Sequence, residues 1–328
     1  MNEGRSRSED SDSPMIICCP ALSELPAPPR GKKGWPWTEE PPRLPNSMPD
    51  GTPWPRVSIV TPSYNQARFL EEAIRSVLLQ GYPDLEYIII DGGSTDDTVE
   101  TIRKYERWLT YWVSEPDNGQ SQAINKGFEK ATGLVYGWLN SDDYLLEHAL
   151  KNVARAYRAS PKAGAWCGGS LFVTTDRKKI GVRQPPHRLD IETIAAWNDN
   201  SFGQPACFFS GKAWQQCAPL DESLHYGMDF DLWIKIAKEF AFEKIGEILA
   251  AERLHKDAKT QGDRGMMYAA QCQIQIRHGY ERLALEDIRR WMNEYTALTG
   301  KLGTISRLPL LRLFRPIARI IWNKLVVS

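Results

Sequence analysis

The stretch LEYIIIDGGSTDDT, residues 85–98, decides the fold. Tyr87 to Ile90 form an unbroken apolar run, and the chain turns polar at Asp91. A strand wetted on one side alternates polar and apolar residues. One that is apolar throughout is covered on both faces, as in a parallel sheet between helices. The glycines and small polar residues after Asp91 predict a loop, with Ser94 or Thr95 capping a helix that runs to about Arg107. Outward in both directions the unit repeats. VSIVTPSYN (57–65) reads as a strand and loop, and QARFLEEAIRSVLLQ (66–80) places Phe69, Leu70, Ala73, Ile74, Val77 and Leu78 at helical spacing. TYWVSEPDNG (110–119) predicts a third strand, QSQAINKGFEKATG (120–133) a helix stopped by Gly133, and LVYGWLNSDDY (134–144) a fourth strand. This alternation predicts an α/β, Rossmann-like, mostly parallel sheet flanked by helices. In such a sheet a ligand lies beyond the carboxyl ends of the strands. All four strands end in polar clusters, at Thr61–Asn65, Asp91–Ser94, Glu115–Gly119 and Asn140–Asp143, so one site built from these loops is expected.

Composition narrows the class without naming it. The chain has 328 residues, a net charge of zero and 25% charged residues, so no global field draws it to nucleic acid. Six cysteines show no CxxC pair or metal-ligand spacing, which reads as free thiols in a reducing, cytoplasmic setting. No run approaches the ~18 apolar residues of a spanning helix. Residues 1–53 read as a disordered arm: the start is polar and of low complexity, and half of the chain's 22 prolines fall between Pro20 and Pro55. Trp35, Trp37 and Trp54 lie in that stretch and are expected to pack back on the domain. After residue 54 the folded domain is expected to extend to 262, with AGAWCGGSLFV and QPACFFSG as strands of a mixed sheet and DFDLWIKIAKEF as an amphipathic helix. Residues 263–328 read as a helical extension. Its end, RLPLLRLFRPIARIIWNKL, mixes basic and apolar residues, which suits a peripheral membrane contact through 303–328, at the inner face of the cell membrane.

Six pieces in order, VSIVTPSYNQARFLEEAIRSVLLQ, YIIIDGGSTDDT, SEPDNGQSQAINKGFEKATG, WLNSDD, GQPACFFS and MDFDLWIKIA, resemble the family 2 glycosyltransferases, which have the GT-A fold. The resemblance spans residues 56 to about 260. It implies inverting transfer of a sugar from a nucleotide diphosphate donor to a hydroxyl acceptor, with Mn²⁺ or Mg²⁺ as cofactor. The acceptor class it brings with it is a glycan or a polyprenyl-linked molecule.

The resemblance assigns roles to particular residues. Asp142 and Asp143 match its metal ligands, and hard divalent cations prefer carboxylate oxygen. Asn140 stands where the family more often has a first aspartate, which leaves open which acid binds directly. His255 is expected to reach the metal or the phosphates, and Arg253 beside it to pair with phosphate. Asp91 is expected to accept the N3–H of a uracil or thymine, pointing to a UDP- or dTDP-linked donor. Thr61, Pro62 and Tyr64 on the first loop, Asp117, Asn118 and Gly119 on the third, and Lys126 one turn further on complete the expected donor side. Asp229 matches the general base, since an acceptor hydroxyl needs its proton removed as the new bond forms. Gln204 and Asp231 are placed on the acceptor side, Asp231 also reading as a structural residue. A sugar nucleotidyltransferase would want a glycine- and basic-rich phosphate loop, which TPSYNQ is not. A dehydrogenase would want GxGxxG after the first strand. A non-catalytic glycan-binding module would have no use for Asp229.

Overall fold

The computed structural model describes residues 19–197, 201–256, 258–259 and 264–301, with only the helix path given from 294 on. The basic tail 303–328 and the first eighteen residues lie outside the described residues. The order of elements opens with β1 (Val57–Ser63), α1 (Ala67–Leu78), β2 (Leu85–Asp91), α2 (Thr98–Tyr105), β3 (Tyr111–Ser114), α3 (Gln120–Phe128) and β4 (Val135–Trp138). Then come β5 (Tyr144–Leu145), α4 (Ala149–Ala159), β6 (Ala165–Val173), β7 (Lys179–Arg183), α5 (Ile191–Ala196), β8 (Cys207–Ser210) and α6 (Gly211–Cys217). The chain continues through α7 (Met228–Glu239), β9 (Phe242–Arg253), α8 (Arg264–Arg277) and α9 (Glu281–Lys301).

The sheet runs β3-β2-β1-β4-β8-β6-β9-β5, with β7 paired to β6. The strand–helix alternation expected up to residue 144 is present, and β1 to β4 are mutually parallel. Beyond them the sheet is mixed, as expected for its second half. β8 runs antiparallel to both β4 and β6, β5 antiparallel to β9, and β6 parallel to β9. β8 enters from the 3₁₀ turn Gln204–Ala206 and leaves straight into α6. α2 starts at Thr98, three residues later than its capping pattern implied, because Ser94 is spent on Asp91 instead.

Side-chain alternation along the strands divides the apolar residues between two layers. Val57, Ile59, Tyr87 and Ile89 face α1, α2 and α4, whereas Val60, Ile88 and Ile90 face α3, α6 and α7. The second layer is aromatic: Trp138 stacks on Trp233 at 5.5 Å, and Phe209 lies edge-on to both.

The segment expected as a disordered arm is packed from Cys19 onward. It forms little regular structure, as its prolines require, but Cys19, Leu25, Trp35, Trp37, Met48 and Trp54 are all buried. What holds it is Arg75 on α1, fully buried, whose guanidinium donates to the carbonyls of Pro26, Pro36 and Trp37 and to the Tyr105 hydroxyl. Proline-rich chain cannot pair its own carbonyls in a helix or ladder, and one five-donor guanidinium satisfies three of them. This stretch, residues 19–55, is a strap across the first core. The five described cysteines are buried.

Arg75→Met strands three buried carbonyls and should cost about 3 kcal/mol. Urea unfolding reads that loss, and limited trypsin digestion should then cut within 30–43, where the native chain resists.

Candidate active site

The loops after β1, β2, β3 and β4 open into one cleft of about 1720 Å³, as the strand-end pattern predicts. Of the expected site residues, Pro62, Tyr64, Asp117, Asn118, Gly119, Asp142, Asp143, Gln204 and Asp229 line it. A polar belt crosses its floor. Lys259 Nζ donates to Gln120 Oε1 (3.2 Å), Gln120 Nε2 to Asn140 Oδ1 (2.7 Å), and Asn140 Nδ2 to Gln204 Oε1 (3.2 Å). Gln204 Nε2 ends the belt on the Trp138 carbonyl (2.9 Å). Asn140 thus spends its amide joining three loops, work that needs both a donor and an acceptor, which a carboxylate could not do.

The acidic pair follows β4 in a tight turn. His255 Nε2 lies 3.0 Å from Asp142 Oδ2, and Asp143 Oδ1 accepts the backbone N–H of Arg253 at 2.9 Å. Asp143 is buried, and burial, Asp142 and Glu252 together push its carboxyl well above the usual range. A buried carboxylate with two acidic neighbours wants a cation, and the Arg253 guanidinium is not that cation. Arg253 also lines the cleft, but its guanidinium is buried and donates to the Asp142 carbonyl, the Thr175 carbonyl and Glu72 Oε2. Among the described residues no three His, Cys, Asp or Glu side chains are arranged to hold a metal ion by themselves. Asp142, Asp143 and His255 offer carboxylate and imidazole donors that could hold a divalent cation only with further ligands from elsewhere.

Asp229 opens α7 after Gly227, whose φ of 76° turns the chain into the helix. It is half-buried, and burial raises its carboxyl above the ordinary range, with Lys259 and Arg183 opposing. Sequence reasoning missed three residues beside it. Glu252, raised by burial, is hydrogen-bonded by Ser170 and lies 3.5 Å from Arg183 Nη1. Lys259 is driven down by burial and held up by Asp229. The adjacency of Glu252 to Arg253 and His255 at a strand end was the one available signal; Arg183 and Lys259 belong to no pattern. Asp231 does not reach the cleft. It is 1% exposed and turned to Lys235 (2.8 Å) and His278 (2.8 Å), the structural alternative of its two readings.

On the donor side the structure rearranges the expected set. Asp91 is fully buried, and its carboxylate accepts the Ser94 N–H (2.9 Å), the Ser94 hydroxyl and the Ser114 hydroxyl (2.6 Å). Its work in the fold is to tie β2 to β3 and the following loop. Thr61 is likewise buried, its hydroxyl 3.1 Å from that of Tyr87, and Lys126 pairs with Glu115 at 2.8 Å instead of facing the cleft. Asp117, half-buried, lines the cleft instead: a Cβ at Gly92 would stand 2.8 Å from its carboxylate oxygen, so the glycine leaves the room that Asp117 fills. Burial and nearby Asp91 and Glu115 raise its carboxyl, against a hydrogen bond from Gly119 N. Tyr64 is 60% exposed at the rim.

A doubly covered sheet, acids at its strand ends and a helix-borne carboxylate across the cleft are the parts of a glycosyltransferase. Residues 58–212 match the model of glycosyl transferase family 2. An uncharacterized glycosyltransferase of Rickettsia typhi is 28% identical over 65% of this chain and 68% of its own length. The chondroitin synthase of Pasteurella multocida is 27% identical over 62% of this chain but only 21% of its own. Among solved structures, S. aureus TarS residues 1–349 aligns with a TM-score of 0.58 at 15% identity, covering 82% of this chain and 80% of that one. The mannosyltransferase PcManGT of Pyrobaculum calidifontis, in complex with GDP-Man and Mn²⁺, aligns at 0.51 and 18%, covering 82% and 84%. These structural likenesses show the GT-A fold.

The raised carboxyl of Asp143 carries a stability signature. A folded-state value above the unfolded one means the folded state holds the proton more tightly. Stability contributed by protonated Asp143 is full at low pH and declines as pH climbs from the unfolded value through the folded one. Asp143→Asn keeps an acceptor for Arg253 N and removes the charge. Without metal it should therefore melt roughly 2–4 °C higher than the native protein at neutral pH, a gain that fades in acid, as followed by calorimetry.

Proposed function

We propose that the protein is a metal-dependent, inverting glycosyltransferase. It moves a sugar from a nucleotide diphosphate donor, UDP- or dTDP-linked, to a hydroxyl of a glycan or polyprenyl-linked acceptor in polysaccharide or glycoconjugate assembly. The observation that carries this reading is the single cleft shared by Asp142, Asp143, Asp117 and Asp229. Asp142, Asp143 and His255 would hold the Mn²⁺ or Mg²⁺ together with diphosphate oxygens. A bound divalent cation supplies charge stabilisation for the leaving diphosphate.

The protein's own groups do the rest. Asp117 is better placed than the buried Asp91 to accept the imide N–H of a uracil or thymine ring, with Tyr64 at the rim free to stack on it. Asp229 takes the proton of the acceptor hydroxyl as its oxygen bonds to the anomeric carbon. The carbon–oxygen bond to the diphosphate breaks with its electron pair on the leaving group, so the anomeric centre inverts in one displacement. Burial keeps Asp229 basic enough for this role, and Lys259 and Arg183 limit how far its carboxyl rises. Gln204, bonded through Asn140 to the acidic turn, lines the acceptor side.

Nucleotide release should be measured with Mn²⁺ and a panel of UDP-, dTDP- and GDP-sugars. Release from the uridine or thymidine donors and little from GDP is expected. Asp229→Asn should keep donor binding and lose about 10³-fold in transfer, and the native acid limb should fall above the ordinary aspartate range. Turnover by Asp229→Asn at the native rate removes the base assignment.

The basic, apolar tail supports a peripheral contact of residues 303–328 with anionic lipid. Among the described residues no helix is long and apolar enough to cross a membrane. A chain ending at Gly300 should lose the co-sedimentation with anionic liposomes that the full chain shows; equal binding ends the idea.

A further inference from the structure

We propose that the N-terminal strap is a positioning element for the metal-binding turn, acting through Trp35. This rests on the reading of Asp142 and Asp143 as metal ligands. The strap precedes residues 58–212, so nothing in the family match assigns it a role.

The argument is a closed circuit of contacts. Trp35, 7% exposed, donates its indole N–H to the Leu145 carbonyl at 2.9 Å, two residues beyond Asp143. The Trp35 carbonyl accepts from Arg177 Nη2. Arg177 Nε lies 2.9 Å from Glu72 Oε1, an ion pair without hydrogen-bond alignment. Glu72 Oε2 accepts from Arg253 Nη2 at 2.9 Å. Arg253 Nε then donates to the Asp142 carbonyl, and its backbone N–H to Asp143 Oδ1, both at 2.9 Å. The ring of Tyr144 lies under both guanidiniums, 5.1 Å from Arg177 and 5.5 Å from Arg253. The turn is thus gripped at its acids by Arg253 and at Leu145 by Trp35, and Glu72 and Arg177 join the two grips.

The turn needs that support. β5 is only Tyr144–Leu145 and pairs with β9 at those two positions alone. A two-residue edge strand has too little ladder to hold itself. The turn also carries two adjacent acids, Asp142 and Asp143. Partners of metal ligands orient them, and their loss costs 10–100-fold in metal affinity in other systems. Here the partners extend past the domain core into a proline-rich segment that is held to α1 through Arg75.

The test compares the native full chain with Trp35→Phe, which keeps the ring packing and lacks the donor. Hydrogen–deuterium exchange of amides 140–146 should speed up several-fold, with amides of β1 and β2 unchanged. Mn²⁺ affinity, titrated by electron paramagnetic resonance with UDP present, should weaken about tenfold. Should Trp35→Phe fail to fold, Arg177→Lys provides the same comparison, retaining the charge against Glu72 while losing the bond to the Trp35 carbonyl. Native exchange in 140–146, or faster exchange with unchanged Mn²⁺ affinity, overturns the proposal. A native protein that binds no Mn²⁺ overturns the metal reading instead, and is told apart because the native chain alone reveals it.

Discussion

A buried ion pair sets the geometry on which the site depends. Arg253 and Glu72 have side chains 1% and 3% exposed, 2.9 Å apart. Taking two charges out of water is costly, and such a pair contributes little net stability unless further hydrogen bonds satisfy it. Here they do. Every guanidinium nitrogen of Arg253 has an acceptor, and two of its contacts are with the acidic turn itself. The pair contributes orientation more than stability: it fixes the turn through which Asp142 and Asp143 line the cleft. Phe69, 4.9 Å from the Arg253 guanidinium and 4.9 Å from the His255 ring, closes the same cluster on its apolar side.

The two halves of the sheet divide the labour. The parallel half presents strand ends in one direction, so its loops converge, and that side carries Tyr64, Asp117 and the acidic turn. The antiparallel β8 reverses the chain between β4 and β6, and this reversal brings α7 and the end of β9 to the same opening. Asp229 and Glu252 reach the cleft from there, and Arg183 joins them from the end of β7. Lys259 then links the halves, bonded to Gln120 on α3 and electrostatically coupled to Asp229.

Much of this was legible in residues 57–144. Continuous apolar strands in regular alternation with helices demand a doubly covered sheet, and the polar clusters at the strand ends demand a shared cleft. Local pattern failed where one side chain had two possible partners. Asp91 has the strand-end position of a ligand-binding acid, but Ser94 and Ser114 reach it first. Lys126 has the reach for a phosphate, but Glu115 is nearer. Arg253 lies beside a site histidine, yet its charge is consumed by Glu72, 181 residues away in sequence. The proline-rich segment looked unfolded because it cannot satisfy its own backbone; Arg75, in an ordinary amphipathic helix, does so from outside.

The amino-acid sequence by itself determined the layers, the strand–helix alternation of the parallel half and the presence of a polar cleft, because these follow from periodicity and from residues near one another along the chain. Only the tertiary structure decided which acids face the cleft, which cations are already paired, and that a proline-rich strap reaches the acidic turn. The reason is physical: a charged side chain takes the nearest partner in space once water is excluded, and neither that distance nor that exclusion is written in the order of residues.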